Sequence, residues 1–371
     1  MQHVYLDNAA TTKPDGDLLN KTLQIYNELY YNPSALYTGA GKVKKAIDGV
    51  RQSILAQFSA NFDCIFTSSG TEADNTAVFS FAKRGNVVTT AGEHSAIYNT
   101  LTYLKQKGIE PRFAKLEKDG SVNVESLIEL IDEKTTLVSV VHVNNETGAI
   151  NDVNKIAKLV KQKNKNVIFH SDGVQAFLKI PYKISNDIDL YSISAHKICA
   201  LKGTGALIYK KNLHITPMIF GGGQEKSLRS GTENTFGIFA IGEAVNRYGN
   251  VGENFERISM LNRQLRDSLK DEVTIISAEN ASPYVLSISL PGIKAEIMQR
   301  LLDDAGVIVG TGSACSSKLG TSRIITNCGL DKKVGEGVLR ISFSYNSTLE
   351  DIKICVDALK KCAQRMQVTL R

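Results

Sequence analysis

Ile188-Asp189-Leu190-Tyr191-Ser192-Ile193-Ser194-Ala195-His196-Lys197 reads as a buried strand that delivers a lysine at its carboxyl end. A lysine at the mouth of a buried strand is costly unless it has a partner. Desolvation lowers the pKa of such an amine and makes it a nucleophile. Upstream lies a second strand candidate, Asn166-Val167-Ile168-Phe169-His170, which ends at Ser171-Asp172. Taken singly, Lys197 reads as an exposed lysine and Asp172 as the cap of a turn. Taken together, a lysine and an aspartate at neighbouring strand ends suit pyridoxal phosphate. The lysine carries the aldehyde as a Schiff base and the carboxylate pairs with the pyridinium nitrogen.

Outward from this pair, strand-like and helix-like patterns alternate. Strands are expected at Cys64–Thr67, Asn86–Thr90, Leu137–His142, Val167–His170, Leu190–Ser194 and Ala206–Tyr209, with helical stretches such as Ile156–Lys161 between several of them. Short, nearly continuous apolar strands separated by helices argue for a mostly parallel sheet covered on both faces. Ligands of such sheets sit beyond the carboxyl ends of the strands. Gly249-Asn250-Val251-Gly252 is a plausible boundary. After it the pattern changes to a long helix from Phe255 to about Leu269, strands at Val273–Ile276, Tyr284–Leu290 and Val338–Phe343, and a helix over Lys294–Asp304 that stops at Gly306. Ser347-Thr348-Leu349-Glu350 reads as a capping box that opens a last helix with Ile352, Cys355, Val356, Leu359 and Cys362 on one face.

The 371 residues suffice for one large and one smaller domain, and 42% apolar with 22% charged residues is ordinary for a globular chain. The net charge of +6 is spread along the chain, so it implies no nucleic-acid binding. None of the six cysteines forms a Cys-x-x-Cys pair, and no His/Cys spacing suggests a metal. They read as reduced thiols of a cytoplasmic protein. No signal peptide is visible, and no apolar run is long enough to cross a bilayer.

Several other stretches carry candidate chemistry. Thr67-Ser68-Ser69-Gly70-Thr71-Glu72 follows a strand and opens a helix, where free amides bind phosphate. Alone it is also an ordinary capped turn. Glu93-His94 ends another strand, where an imidazole can stack on a flat ring and move protons, or simply be a structural histidine. In Asn144-Asn145-Glu146-Thr147-Gly148 an asparagine amide could meet a phenolic oxygen, or the stretch is a turn. Gly221-Gly222-Gly223 implies a backbone constraint or a flexible loop. Gly312-Ser313-Ala314-Cys315-Ser316-Ser317 sets one thiol among small polar residues, and the residues alone leave a reactive thiol and an incidental surface cysteine both open. Arg340, inside an apolar strand, suits a substrate carboxylate or a solvent-facing position.

Together these stretches resemble the cysteine desulfurases of the class V aminotransferase family, which have fold type I of the pyridoxal-phosphate enzymes. The resemblance runs from Tyr5-Leu6-Asp7-Asn8-Ala9-Ala10-Thr11-Thr12 to the last helix. It includes Thr67 to Asn75, Glu93-His94, Asn144-Asn145-Glu146, His170 to Gln175, Ser194 to Lys197, Gly221 to Asn234, and Ser313-Ala314-Cys315.

The resemblance implies an α/β fold. A large pyridoxal-phosphate domain over 16–248 would hold a mostly parallel, seven-stranded sheet. A smaller α+β domain would form from 1–15 and 249–371 and carry the cysteine loop. Lys197 would hold the cofactor, Asp172 its ring nitrogen, and Gln175 and Asn145 its phenolic oxygen. Gly70, Thr71, Ser194 and His196 would bind the phosphate, with Thr232 reaching over from the second subunit of a homodimer. His94 would stack on the ring and manage protons. Arg340, with Asn32 beside it, would take the carboxylate of L-cysteine, and Cys315 would become a persulfide for a sulfur acceptor in iron–sulfur assembly or tRNA thiolation. Selenocysteine lyases and other class V aminotransferases are the alternatives.

Some positions depart from the pattern. Tyr37 stands where many relatives have histidine, and Lys318-Leu319-Gly320-Thr321-Ser322 lacks the expected Ser-Leu-Glu-Pro run. Cys328 reads as a core residue or as a second thiol that resolves the persulfide.

Overall fold

The computed structural model describes residues 3–58, 61–311 and 322–369, with side chains to residue 366. Among these, the strands in chain order are β1 (Val4–Tyr5), β2 (Phe62–Thr67), β3 (Asn86–Thr90), β4 (Glu110–Ala114), β5 (Thr135–Ser139), β6 (Ile168–Asp172), β7 (Leu190–Ser194), β8 (Gly205–Lys210), β9 (Thr274–Ile275), β10 (Val285–Ser289), β11 (Val307–Ile308) and β12 (Val338–Ser342). Seven of them form one sheet in the order β2-β8-β7-β6-β5-β3-β4. β8 runs antiparallel to β2 and β7, whereas the pairs from β7 through β6, β5 and β3 to β4 are parallel. The mostly parallel sheet expected from the apolar strands is therefore present.

Burial on both faces explains why those strands read as unbroken apolar runs. Val88, Val138, Tyr191 and Ile208 join the cluster on one face, and their neighbours Val87, Leu137, Leu190 and Leu207 join clusters on the other. Full burial of a side chain such as Phe169 contributes roughly 1.5–3 kcal/mol. The covering helices are specified locally. Asp152 caps the helix Val153–Lys163 by accepting from the Lys155 N–H at 3.0 Å, Val153, Ile156, Ala157 and Val160 form its buried stripe, and lysines occupy its last turn.

The structure departs from the sequence reading at β4, β5 and the start of the last helix, and adds the short strands β1 and β11. β4 gave no strand signal because it is an edge strand carrying Pro111 and exposed charge. β5 is shifted: Val140 and His142 lie past its end, yet their N–H groups donate to the carbonyls of His170 and Asp172, so the segment is extended and apolar without being ladder. The last helix, Leu349–Thr369, is closed by Thr348 and Asp351, not by Ser347 and Glu350. Thr348 N–H donates to Asp351 Oδ2 at 2.8 Å and Asp351 N–H to Thr348 Oγ1 at 3.2 Å, while Ser347 Oγ accepts from Ser344 N–H.

The C-terminal strands β9, β10 and β12 form a separate antiparallel sheet in the order β12-β10-β9. β1 pairs in parallel with β11, so the N-terminal segment returns to this part of the molecule. Gly310 and Arg340 exchange backbone hydrogen bonds. The helix Ala295–Asp304 stops ahead of Gly306, whose φ of +83° is the left-handed conformation expected there. Among the described residues no helix is long and apolar enough to cross a membrane.

Candidate active site

The carboxyl ends of β3, β5, β6 and β7 open into one cavity of about 570 Å³, the size of a small-molecule site. Asp172 is the last residue of β6 and Gln175 stands just beyond it; Ser194 ends β7, with His196 and Lys197 in the turn that follows. Gly70 and Thr71 come from the start of the helix Gly70–Phe81, His94 from the connection after β3, Asn145 from the turn after β5, and Arg340 from β12. All ten line this cavity. Parallel strand ends and the helix starts beside them converge there because each connection must cross the same edge of the sheet.

Two expected residues do not line it. Thr232 is exposed in a separate recess with Arg229, Glu233 and Asn234. Asn32 is exposed and accepts from the Ser34 N–H at 2.9 Å within its own turn. Cys315 lies outside the described residues. Cys328 is 3% exposed and burial pushes its thiol up to about 12, so it is a core residue.

Lys197 Nζ donates to the carbonyls of Ala9 at 2.7 Å and Ala10 at 2.6 Å. Burial first, and then the like charge of Arg340, lowers its pKa to about 8, against the opposing pull of Asp172 and Asp7. Asp172 accepts from the Val174 N–H at 2.9 Å, and burial raises its pKa against the pull of His94 and Lys197. His94 is open to the cavity but enclosed by protein. Lost hydration lowers its pKa, Asp172 opposes, and Lys197 and Arg323 add to the lowering. Its Nδ1 accepts from the Ala96 N–H at 3.2 Å, which turns Nε2 away from the helix. His196 shares a proton with Thr11 Oγ1 at 3.1 Å and is held neutral by burial, its pKa lowered to about 3. Ser69 caps the phosphate-type helix through the Glu72 N–H. Gly70 lets the helix start approach β7 and the turn after β6 closely: a Cβ there would meet Val174 Cγ2 at 2.8 Å and Ser194 Cβ at 3.2 Å.

Arg340 is 7% exposed, not the solvent-facing strand residue its place in an apolar run allowed. It donates to Asp7 Oδ1 at 2.8 Å and to the Asn145 carbonyl at 2.9 Å, and its Nε has no partner among the described residues. Asn145 Oδ1 is likewise buried and unpartnered.

The site holds charged groups to which sequence reading gave no role. Asp74 is 1% exposed, and its Oδ1 stands 3.6 Å from His170 Nε2. Donor atoms of Asp74, His94 and Asp172 all lie within 4.8 Å of one another. Burial and the neighbouring Asp172 raise the Asp74 carboxyl well above the carboxylate range. Glu93 is pushed up to about 8 and Glu146 to about 7, both chiefly by burial. Arg323 donates to the carbonyls of Ala91 and Glu93 and lies 3.9 Å over the Tyr98 ring, and the Ser322 hydroxyl donates to Glu146. Two contacts thus fasten the chain to the wall of the cavity next to His94. The only signal for Asp74 was a lone acid among Ala73, Ala77 and Val78 on a buried helix face.

Farther out, Glu225, Lys226 and Ser227 follow the triple glycine with φ of +48°, +59° and +65°. Glu225 is held by Arg51 in two contacts of 3.0 Å and accepts from the Phe66 N–H at 2.8 Å, so the glycine stretch leads into a constrained segment.

The family model of class V aminotransferases matches residues 4–355. A curated relative from Clostridium botulinum, cysteine desulfurase IscS, is 36% identical, covering 97% of this chain and 94% of the relative. A solved structure described as a NifS-like protein superposes with a TM-score of 0.91 at 31% identity, covering 99% of this chain and 100% of that one. Another, of SspA in complex with cysteine, gives a TM-score of 0.80 at 26% identity, covering 93% of this chain and 99% of that one.

Proposed function

The chain belongs to the cysteine desulfurases of the class V aminotransferase family, and from this premise we propose how its residues take sulfur from L-cysteine. The family uses pyridoxal phosphate, which supplies an electron sink for charge that builds up on the substrate α-carbon. The residues of the cavity fit that group. Gly70 lets the helix start pack closely against Val174 and Ser194 at the cavity wall, the Arg340 Nε is buried without a partner among the described residues, and a lysine of lowered pKa and a buried carboxylate stand on neighbouring strand ends.

In this reading Lys197 would hold the cofactor at its aldehyde, and its amine would accept the substrate α-proton. Asp172 would hold the ring nitrogen, Gln175 and Asn145 the phenolic oxygen, and Gly70, Thr71, Ser194 and His196 the phosphate. His94 covers the ring and moves the thiol proton. Arg340 would take the substrate carboxylate through its free Nε; Asn32, which does not line the cavity, is left without that part. Cys315 attacks the substrate sulfur as a thiolate, so an S–S bond forms as the C–S bond breaks. A proton returned to the substrate carbon completes alanine.

The homodimer, with Thr232 of each chain serving the other's phosphate, is part of the proposal. So are a cytoplasmic setting, an acceptor such as an iron–sulfur scaffold or a tRNA-thiolating protein, and the division into 16–248 and 1–15 with 249–371. The pairing of β1 with β11 supports that division. The observation that carries the reading is the convergence of Lys197, Asp172, His94 and Arg340 on one cavity.

Mass spectrometry after incubation with L-cysteine tests it. The Cys315 peptide should gain one sulfur atom, and borohydride should fix the cofactor to Lys197. Cys315→Ser should stay yellow and release no sulfide. Full sulfur release by that variant without reductant would overturn the role of Cys315.

A further inference from the structure

Lys179 is 2% exposed and bonds to Gln175, which lines the cavity. Its ammonium stands 5.8 Å over the Tyr284 ring and pairs with no carboxylate among the described residues. A buried, unpaired lysine costs stability, so its position calls for a reason. Its one side-chain hydrogen bond goes to Gln175 Oε1 at 2.8 Å. Gln175 Nε2 donates in turn to the Ala9 carbonyl at 2.8 Å, the same oxygen that accepts from Lys197. The backbone is bent to allow this. Leu178 adopts φ of +60°, and its carbonyl accepts from the Tyr345 hydroxyl at 3.0 Å.

A carboxamide has two nearly isosteric orientations, and its neighbours decide between them. The Ala9 carbonyl only accepts, so it takes the amide NH₂, and Lys179 Nζ donates to the Oε1 on the other side, as an ammonium below its lowered pKa of about 7 and through an amine N–H above it. Lys179 and Ala9 therefore select the same orientation, with Oε1 toward the lysine and the NH₂ toward Ala9 and the cavity. The flipped amide would set NH₂ against ammonium and oxygen against oxygen.

We propose that Lys179 is a positioning residue that fixes the Gln175 carboxamide, so that its remaining N–H and not its oxygen faces the phenolic oxygen of the cofactor. The inference rests on the reading that Gln175 meets that oxygen. An N–H there stabilises the phenolate form; a carbonyl oxygen repels it.

The test is a double-mutant cycle on the holoenzyme, read as the pH midpoint of the cofactor's visible absorption band. Gln175→Leu should raise the midpoint by roughly one pH unit, the worth of one lost hydrogen bond. Lys179→Met should raise it by a similar amount, and the double variant no further than Gln175→Leu alone. If Gln175→Leu shifts the midpoint and Lys179→Met does not, the role of Lys179 is wrong and the reading of Gln175 stands. If neither shifts it, the reading of Gln175 fails and the inference falls with it. An equal shift from Lys179→Met in both backgrounds would mean that its charge acts alone, and would also overturn the proposal. Melting curves check the fold, and Lys179→Gln, which keeps an N–H donor, should restore most of the midpoint if Lys179→Met loses the cofactor.

Discussion

Lys197 should take up pyridoxal phosphate with a rate that rises with pH and levels off near 8. Only the unprotonated amine attacks an aldehyde, and the surroundings lower its pKa from 10.5 to about 8. Ten raised to that gap makes the free amine roughly 300 times more abundant at neutral pH than in an ordinary lysine. The causes are burial and Arg340, so the two can be separated. Arg340→Gln removes the like charge, raises the pKa and moves the break to higher pH, and uptake at neutral pH becomes slower. The assay mixes apoprotein with pyridoxal phosphate in a stopped-flow instrument and follows the visible band from about pH 6 to pH 10. The wild-type rate should climb about tenfold per pH unit below the break and then flatten. A rate that climbs without a break to pH 10 would mean that the amine is ordinary, and the electrostatic account of the site would be wrong. A break that Arg340→Gln leaves in place would refute the part assigned to the guanidinium.

Two further outcomes follow from buried groups. Arg51→Met should destabilise the protein by about 3–5 kcal/mol in urea unfolding, because it strands the Glu225 carboxylate, whose side chain is 4% exposed. Arg51→Met/Glu225→Gln should recover part of that loss, and a single variant within experimental error of wild type would show that the pair does not hold the segment. For Glu93, burial raises the pKa from 4.5 to about 8, so between those values the folded state holds a proton that the unfolded state has lost. Stability should therefore fall as pH rises through this window, by up to about 1.4 kcal/mol per pH unit from this group. Glu93→Gln should flatten the fall, and parallel urea midpoints for the two proteins would refute the assignment.

Most of the fold was legible because it depends on patterns with a short range. The parallel strands are buried on both faces, so they stand out as apolar runs, and helices such as Val153–Lys163 carry their cap and stripe in consecutive residues. The site was legible where chemistry fixes residue type at a strand end, as with Asp172, Ser194 and Lys197. The missed features depend on distant partners. β4 is an edge, and edges are shaped against aggregation and not for burial. The capping box differed by one residue because Ser347 and Thr348 are equally good caps, and only the tertiary contact of Ser347 with Ser344 settles which one closes the helix.

Asp74, Glu93, Glu146 and Lys179 received no role of their own for a different reason. Each is an ionisable residue that the fold buries, and burial of a charge leaves no periodic mark in the sequence. Burial moves their pKa values toward the neutral forms, the three carboxyls up and the lysine down to about 7. A fold selected for stability alone would replace such groups with apolar ones of similar volume. Asp74 lines the cavity reached by Lys197 and Asp172, Glu93 and Lys179 bond to Val141 and Gln175 of its lining, and Glu146 follows Asn145, which argues that their cost is offset there by the orientation they impose on the groups that touch ligand. Gln175 shows how: its place at a strand end marks it as a candidate, but the direction of its amide is set by Lys179 and Ala9, one four residues on and the other 166 residues back in the chain. Residue identity in the sequence thus names the atoms available to the cavity, and only the buried charges behind them decide which atom faces it.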